Sequence, residues 1–165
     1  MPTPPQCVFL DTNVYLIGIA YPESPEAEIL RWAGFGQVEY QTGKASSPVE
    51  IIVSEEMFEQ IKRVARRSPK RSEGRLRSKD WAGEILGHIW QDFQLRYVFL
   101  DPKELSSLEG SGVIPREDAG IYLTAREGHA ECFLSSNREL ITILARKTGE
   151  FECLTPREFV EKYLR

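Results

Sequence analysis

Cysteine and histidine are scarce in this chain. The three cysteines, Cys7, Cys132 and Cys153, are odd in number and far apart. They fit neither a disulfide framework nor the paired spacing of a zinc site, and each reads as a small buried hydrophobe in a reducing compartment. The two histidines, His88 and His129, lie beside no acidic cluster in the sequence, which argues against a zinc centre. No apolar run approaches the roughly 20 residues of a membrane span. The first residues, Met1 to Gln6, are polar and proline-rich, without the basic and apolar regions of a secretory signal. A phosphate-cradling loop of the GxGxxG or Walker type is missing too. The expectation from these absences is a cytoplasmic protein with no membrane association.

What is present is an ordinary globular composition, 41% hydrophobic and 28% charged. A chain of 165 residues can bury a core of its own, so a single domain over 1–165 is expected. The net charge of −4 is distributed unevenly. Between Lys62 and Asp80 nine Lys and Arg face two acids, Glu73 and Asp80, so this stretch carries +7 and the remainder −11. Ser68-Pro69 and Gly74 break helical periodicity within it, which predicts a basic loop at about 62–79.

Short apolar runs alternate with helical patterns along the chain. Cys7–Leu10, Ile51–Val53, Tyr97–Leu100, Cys132–Leu134 and Phe151–Leu154 read as buried strands. Helices are predicted from Ser24-Pro25, from Ser54, over residues 79–92, from Pro115, after Asn137, and from the capping box Thr155-Pro156-Arg157-Glu158. Residues 37–48 read as a loop with a short strand near Val38–Tyr40, and Gly110-Ser111-Gly112 as a loop. Strands alternating with helices imply a three-layer α/β/α fold around a five-stranded, mostly parallel sheet. In such sheets the site lies beyond the carboxyl ends of the strands.

Polar residues gather at those ends. The first strand ends in Asp11-Thr12-Asn13, the third in Asp101 and the fourth in Ser135-Ser136-Asn137. Glu55, Glu56 and Glu59, then Glu117 and Asp118, begin the following helices. Carboxylates converging on one sheet edge repel one another and are expensive to bury unpaired. A hard divalent cation with oxygen ligands, such as Mg²⁺, resolves that conflict.

Val8-Phe9-Leu10-Asp11-Thr12-Asn13-Val14-Tyr15-Leu16 resembles the opening strand of PIN domains. Asp118-Ala119-Gly120-Ile121-Tyr122-Leu123-Thr124-Ala125 is similar to the later acidic helix of that family. Glu127 to Leu140, with its strand ending in Ser135-Ser136-Asn137, and the closing helix from Thr155 follow in the family's order. The resemblance implies a Mg²⁺- or Mn²⁺-dependent nuclease acting on RNA, and it includes VapC-type toxins. On that basis Asp11 and Asp118 would ligate the metal and Asn13 and Ser136 would assist. Two positions depart from the pattern. The usual acid of the second-strand helix falls on Gln60, with Glu59 adjacent and Glu56 one turn earlier. The last acid is replaced by Asn137, a neutral oxygen ligand.

Each of these residues also has a simpler role. Asp11 and Asn137 suit helix N-caps, and Asp118 suits the first turn of a helix. Glu56 and Glu59 suit a solvated face, Asp101 a turn before Pro102, and Trp81 and Trp90 the core. The agreement between Asp11, Asp118 and the motif order favours a site. The expected reaction is RNA cleavage with a catalytic set of Asp11, Asp118, Asn137 and either Glu59 or Glu56. Single-stranded RNA would be guided by Arg66, Arg67, Lys70, Arg71, Arg75 and Arg77. An antitoxin-like protein and a second copy of the chain are the other expected partners. The alternative is a weakened module that binds RNA or protein without cleavage. A phosphotransferase reading is disfavoured, because Asn13 stands where a second aspartate is wanted.

Overall fold

The computed structural model describes residues 2–36, 49–67 and 81–165, and of Trp81 only the backbone. Five strands form one sheet: β1 (Cys7–Leu10), β2 (Glu50–Ser54), β3 (Gln94–Val98), β4 (Cys132–Leu134) and β5 (Glu152–Leu154). Every neighbouring pair is parallel, and the order is β3-β2-β1-β4-β5. The first strand of the chain is therefore the middle strand of the sheet. All four residues of β1 and all three of β4 are buried. A strand buried on both faces needs helices on both, which is the three-layer α/β/α arrangement expected. The helices are α1 (Thr12–Ala20), α2 (Pro25–Ala33), α3 (Glu55–Arg66), α4 (Trp81–Asp92), α5 (Pro102–Ser111), α6 (Ala119–Glu127), α7 (Arg138–Lys147) and α8 (Pro156–Phe159).

The helix starts follow local chemistry. Ser24 Oγ accepts from the Ala27 amide ahead of α2, and Ser54 Oγ from the Met57 amide ahead of α3. Thr155 and Glu158 form a reciprocal capping box before α8. Gly18 lets α1 approach α2 closely, because a methyl group there would lie 2.6 Å from Leu30 Cδ1 and 3.1 Å from the Ala27 nitrogen. Phe9, Ile51, Ile52, Met57, Ile61 and Phe133 are fully buried and fill the space between sheet and helices.

Several expectations need correction. The third strand runs over Gln94–Val98, not Tyr97–Leu100, and Phe99 beyond it is 87% exposed. The apolar run suggested a buried strand, but β3 is an edge strand and only partly buried. It accommodates Arg96, whose guanidinium donates to the Gly128 carbonyl and to Glu50, each at 2.8 Å. Asp101 does not merely turn the chain: it caps α5 by accepting from the Lys103 amide at 2.9 Å. That helix leaves no sign in the sequence: it carries too few apolar residues for a stripe and runs into the loop expected at Gly110-Ser111-Gly112. Pro115 precedes a 3₁₀ turn, Arg116–Asp118, and α6 starts only at Ala119. Trp90 is 49% exposed and so lies outside the core, and Cys153 is only partly buried. The short strand expected near Val38–Tyr40 falls outside the described residues. Among the described residues no helix is long and apolar enough to cross a membrane.

Candidate active site at the carboxyl edge of the sheet

Strand pairing builds the centre of the site. Leu10 pairs with Leu134, so the residues that follow, Asp11 and Ser135, emerge side by side where β1 and β4 end. The connections leave in opposite directions there, β1 toward β2 and β4 toward β5. This is the switch point at which α/β sheets open a crevice. The Asp11 amide donates to the Leu134 carbonyl at 2.9 Å and fixes the aspartate at the mouth of that crevice.

Asp11 is both cap and buried carboxylate. Its Oδ1 accepts from the Thr12 amide at 2.7 Å, which starts α1. Its Oδ2 accepts from Ser135 Oγ at 2.7 Å and from Asn13 Nδ2 at 3.3 Å. Burial pushes the Asp11 carboxyl above the ordinary carboxylate range, and these three hydrogen bonds pull in the opposite direction.

Asp118 reaches the same place from the 3₁₀ turn. Its side chain makes no capping hydrogen bond to α6, so the first-turn role does not occupy it. Burial, then the nearby charges of Asp11 and Glu117, raise its carboxyl to about 6. Asp11 and Asp118 thus sense each other across the crevice although they come from distant parts of the chain.

The polar residues after β4 form a connected network. Ser135 Oγ accepts from the Asn137 amide at 3.0 Å, and the Ser136 amide donates to Asn13 Oδ1 at 2.9 Å. Ser136 Oγ donates to Glu26 Oε2 at 2.9 Å. Asn137 Oδ1 accepts from the Leu140 amide at 3.2 Å and caps α7. Asn13 and Ser136 therefore hold the loop that carries Asp11's partner. Ser135 and Glu26 were not among the expected site residues. Ser135 was legible from the register of two parallel strands, whereas Glu26 looks like an ordinary acid in the first turn of α2.

On the α3 side, Gln60 rather than Glu59 sits against α1. Thr12 Oγ1 donates to Gln60 Oε1 at 2.7 Å. Glu59 is exposed and pairs with Lys62 at 3.2 Å. Glu56, one turn before Gln60, lies beside α6, where a methyl on Gly120 would come within 3.3 Å of its Cβ. An open groove of about 740 Å³ continues from here. One wall carries Glu55, Glu56, Glu59, Gln60, Arg63 and Arg67 of α3, and the other Leu105, Glu109, Arg116 and Glu117. Asp11 and Asp118 are not on its walls, but Gln60 on one wall accepts from Thr12, the residue after Asp11, and Glu117 on the other precedes Asp118.

Of the expected RNA-guiding residues, Arg67 lines the groove and Arg66 is exposed at the end of α3. Lys70, Arg71, Arg75 and Arg77 lie outside the described residues. Arg63, not singled out in the sequence, lines the groove. Among the described residues no three His, Cys, Asp or Glu side chains are gathered into a ready-made metal cage.

No family model and no curated protein matches the sequence. Solved structures do. The crystal structure of VapBC2 from Rickettsia felis bound to a DNA fragment from their promoter superposes on this chain with a TM-score of 0.53 and 16% identity. The match covers 91% of this chain and 98% of the other. At that identity the likeness is one of fold. Together with the five-stranded parallel sheet, it defines an α/β protein of PIN-like architecture.

Proposed function

We infer that this chain is a PIN-type endoribonuclease that cleaves RNA phosphodiester bonds with the help of Mg²⁺ or Mn²⁺. One observation carries the reading: Asp11 and Asp118 converge at the switch point of the sheet, each with its carboxyl raised above the ordinary range by burial. Two crowded carboxylates with neutral oxygens nearby suit a hard cation, which would offset their repulsion. Asp11 and Asp118 would hold the ion, and Glu56 or Glu59, both on the groove wall, would join them. When bound, the ion supplies an activated water and charge stabilisation at the phosphate. The chain's own contribution is positional. Ser135 and Asn13 hold Asp11, Ser136 holds Asn13 from the other side, and Asn137 fixes the start of α7 behind them. Arg63, Arg67 and Arg116 offer cations to the phosphate backbone along the groove.

The proposal covers one PIN-like domain over residues 1–165, acting in the cytoplasm on single-stranded RNA. An antitoxin-like protein partner belongs to it, because the structural neighbour is a VapBC2 assembly on DNA. A homodimer is part of the same reading, and its sedimentation behaviour tests that part.

The experiment is cleavage of a labelled, mixed-sequence single-stranded RNA with Mn²⁺, Mg²⁺ or EDTA. Metal-dependent cutting is expected, with loss in Asp11→Asn and Asp118→Asn. A gain of activity in Asn137→Asp would assign that position to the metal. A second reading is favoured by Gln60 and Asn137, whose side-chain oxygens accept structural hydrogen bonds. It is a module that binds RNA or protein without cutting. RNA binding that survives chelation, with no cleavage by any variant, would establish it.

A further inference from the structure

Glu26 is an acid in an unexpected place. It stands at the second position of α2, where a carboxylate usually lies in water and favours the helix dipole. Here the residue is only 8% exposed. Among the described residues no Lys, Arg or His forms an ion pair with it. Its partner is a neutral hydroxyl, Ser136 Oγ, which donates to Oε2 at 2.9 Å. A buried carboxylate without a cation is a cost to stability that an apolar side chain of similar size avoids. The reason for Glu26 lies instead in what it holds.

A chain of hydrogen bonds leads from Glu26 to Asp11. Ser136 gives its hydroxyl proton to Glu26 and its amide proton to Asn13 Oδ1 at 2.9 Å. Asn13 Nδ2 in turn donates to Asp11 Oδ2 and to Ser135 Oγ, each at 3.3 Å. The carboxamide of Asn13 has an accepting and a donating end, and only one arrangement suits both neighbours. Its oxygen faces the Ser136 N–H and its amino group the Asp11 carboxylate. A half turn would set donor against donor and acceptor against acceptor. The backbone at Ser136 thus decides that Asn13 donates to Asp11, and Glu26 ties that loop to the start of α2. Glu26 does not join Asp11 and Asp118 in a shared cage of acids, so it acts through these links rather than as a ligand.

We propose that Glu26 is a positioning residue: through Ser136 and Asn13 it holds the Asp11 carboxylate in the orientation the site uses. The proposal rests on the ribonuclease reading for the importance of Asp11, so one arm of its test needs no metal. In the first arm, affinity of the full chain for Mn²⁺ alone is measured by electron paramagnetic resonance of the free ion. Glu26→Leu fills similar space without an acceptor, and Ser136→Ala removes the hydroxyl. Each should weaken Mn²⁺ binding roughly 10-fold, the lower end of what losing a partner behind a metal ligand costs. Glu26→Gln, whose Oε1 can still accept from Ser136, should bind as the wild type does. The double variant of Glu26→Leu and Ser136→Ala should be no weaker than either single one. In the second arm, urea unfolding in EDTA compares Glu26→Leu, Asp11→Asn and the two combined. Their joint effect on the unfolding constant should differ from the product of the single effects by roughly 2- to 100-fold, as within one hydrogen-bond network.

Wild-type Mn²⁺ affinity in folded Glu26→Leu overturns the proposal. So does an equal loss in Glu26→Gln and Glu26→Leu, which would make Glu26 a structural charge and not the acceptor for Ser136. Independent effects of Glu26→Leu and Asp11→Asn on unfolding overturn it as well, whatever Mn²⁺ does. If Glu26→Leu does not fold, Ser136→Ala takes its place in both arms with the same criteria. A wild type that binds no Mn²⁺ and cuts no RNA refutes the nuclease reading alone, and the unfolding arm then decides the proposal. Metal-dependent cleavage by the wild type with unchanged Mn²⁺ affinity in Glu26→Leu refutes the proposal alone.

Discussion

Asp118 carries a testable sign. Its carboxyl is raised from 3.8 to about 6, so between those values the folded chain binds a proton that the unfolded chain has released. Stability contributed by this group is then lost as pH rises through about 6. Asp118→Asn should raise Tm above pH 6 in metal-free buffer, and the gain should vanish below pH 4. Added Mg²⁺ should raise the Tm of the wild type more than that of Asp118→Asn, because only the wild type offers both carboxylates. Ser135 gives the opposite result. It is fully buried, donates to Asp11 and accepts from the Asn137 amide. Ser135→Ala should therefore destabilise by about 1–3 kcal/mol in urea titrations, as stranded buried polar groups do.

Between elements, two glycines should respond oppositely to the same change. Gly18→Ala would press on Leu30 and on the backbone of α2, forcing α1 and α2 apart and carrying Glu26 away from Ser136. Overpacking of this kind destabilises by about 1–3 kcal/mol and outweighs the helix preference of alanine. Gly87→Ala in α4 meets nothing within 4 Å and should stabilise by up to about 1 kcal/mol. Chemical denaturation of both variants checks the pair. The same contrast explains what was legible in the sequence. Buried strands and capped, striped helices such as α2 and α3 announce themselves through local chemistry. The edge strand β3 and the exposed helix α5 do not, because neither buries a continuous apolar face. The positions of Asp11 and Asp118 could be read from strand ends and motif order. That Glu56 and Glu59 both line the groove could not, since it depends on how α3 is rotated against its neighbours.

At the scale of the whole molecule, charge of opposite sign is separated along the chain. The +7 stretch from Lys62 begins within α3, where Arg63 and Arg67 line the groove. RNA affinity should fall steeply with salt, with a log–log slope of about −0.7 for each phosphate neutralised on a single strand. Arg63→Gln combined with Arg67→Gln should flatten that slope by about 1.4 while leaving Tm nearly unchanged, which titration at several salt concentrations would show.

The order of the sheet also governs when the site comes into being. β1 leaves the ribosome first, yet one of its neighbours is β4, which includes Leu134. Asp11 can gain its hydrogen bond from Ser135, and the nearby charge of Asp118, only after most of the chain has been synthesised. Until then it is an ordinary hydrated side chain on a growing polypeptide. The ribonuclease proposed above would stay inert beside the messenger and ribosome that produce it, because Asp11 waits for Ser135 and Asp118.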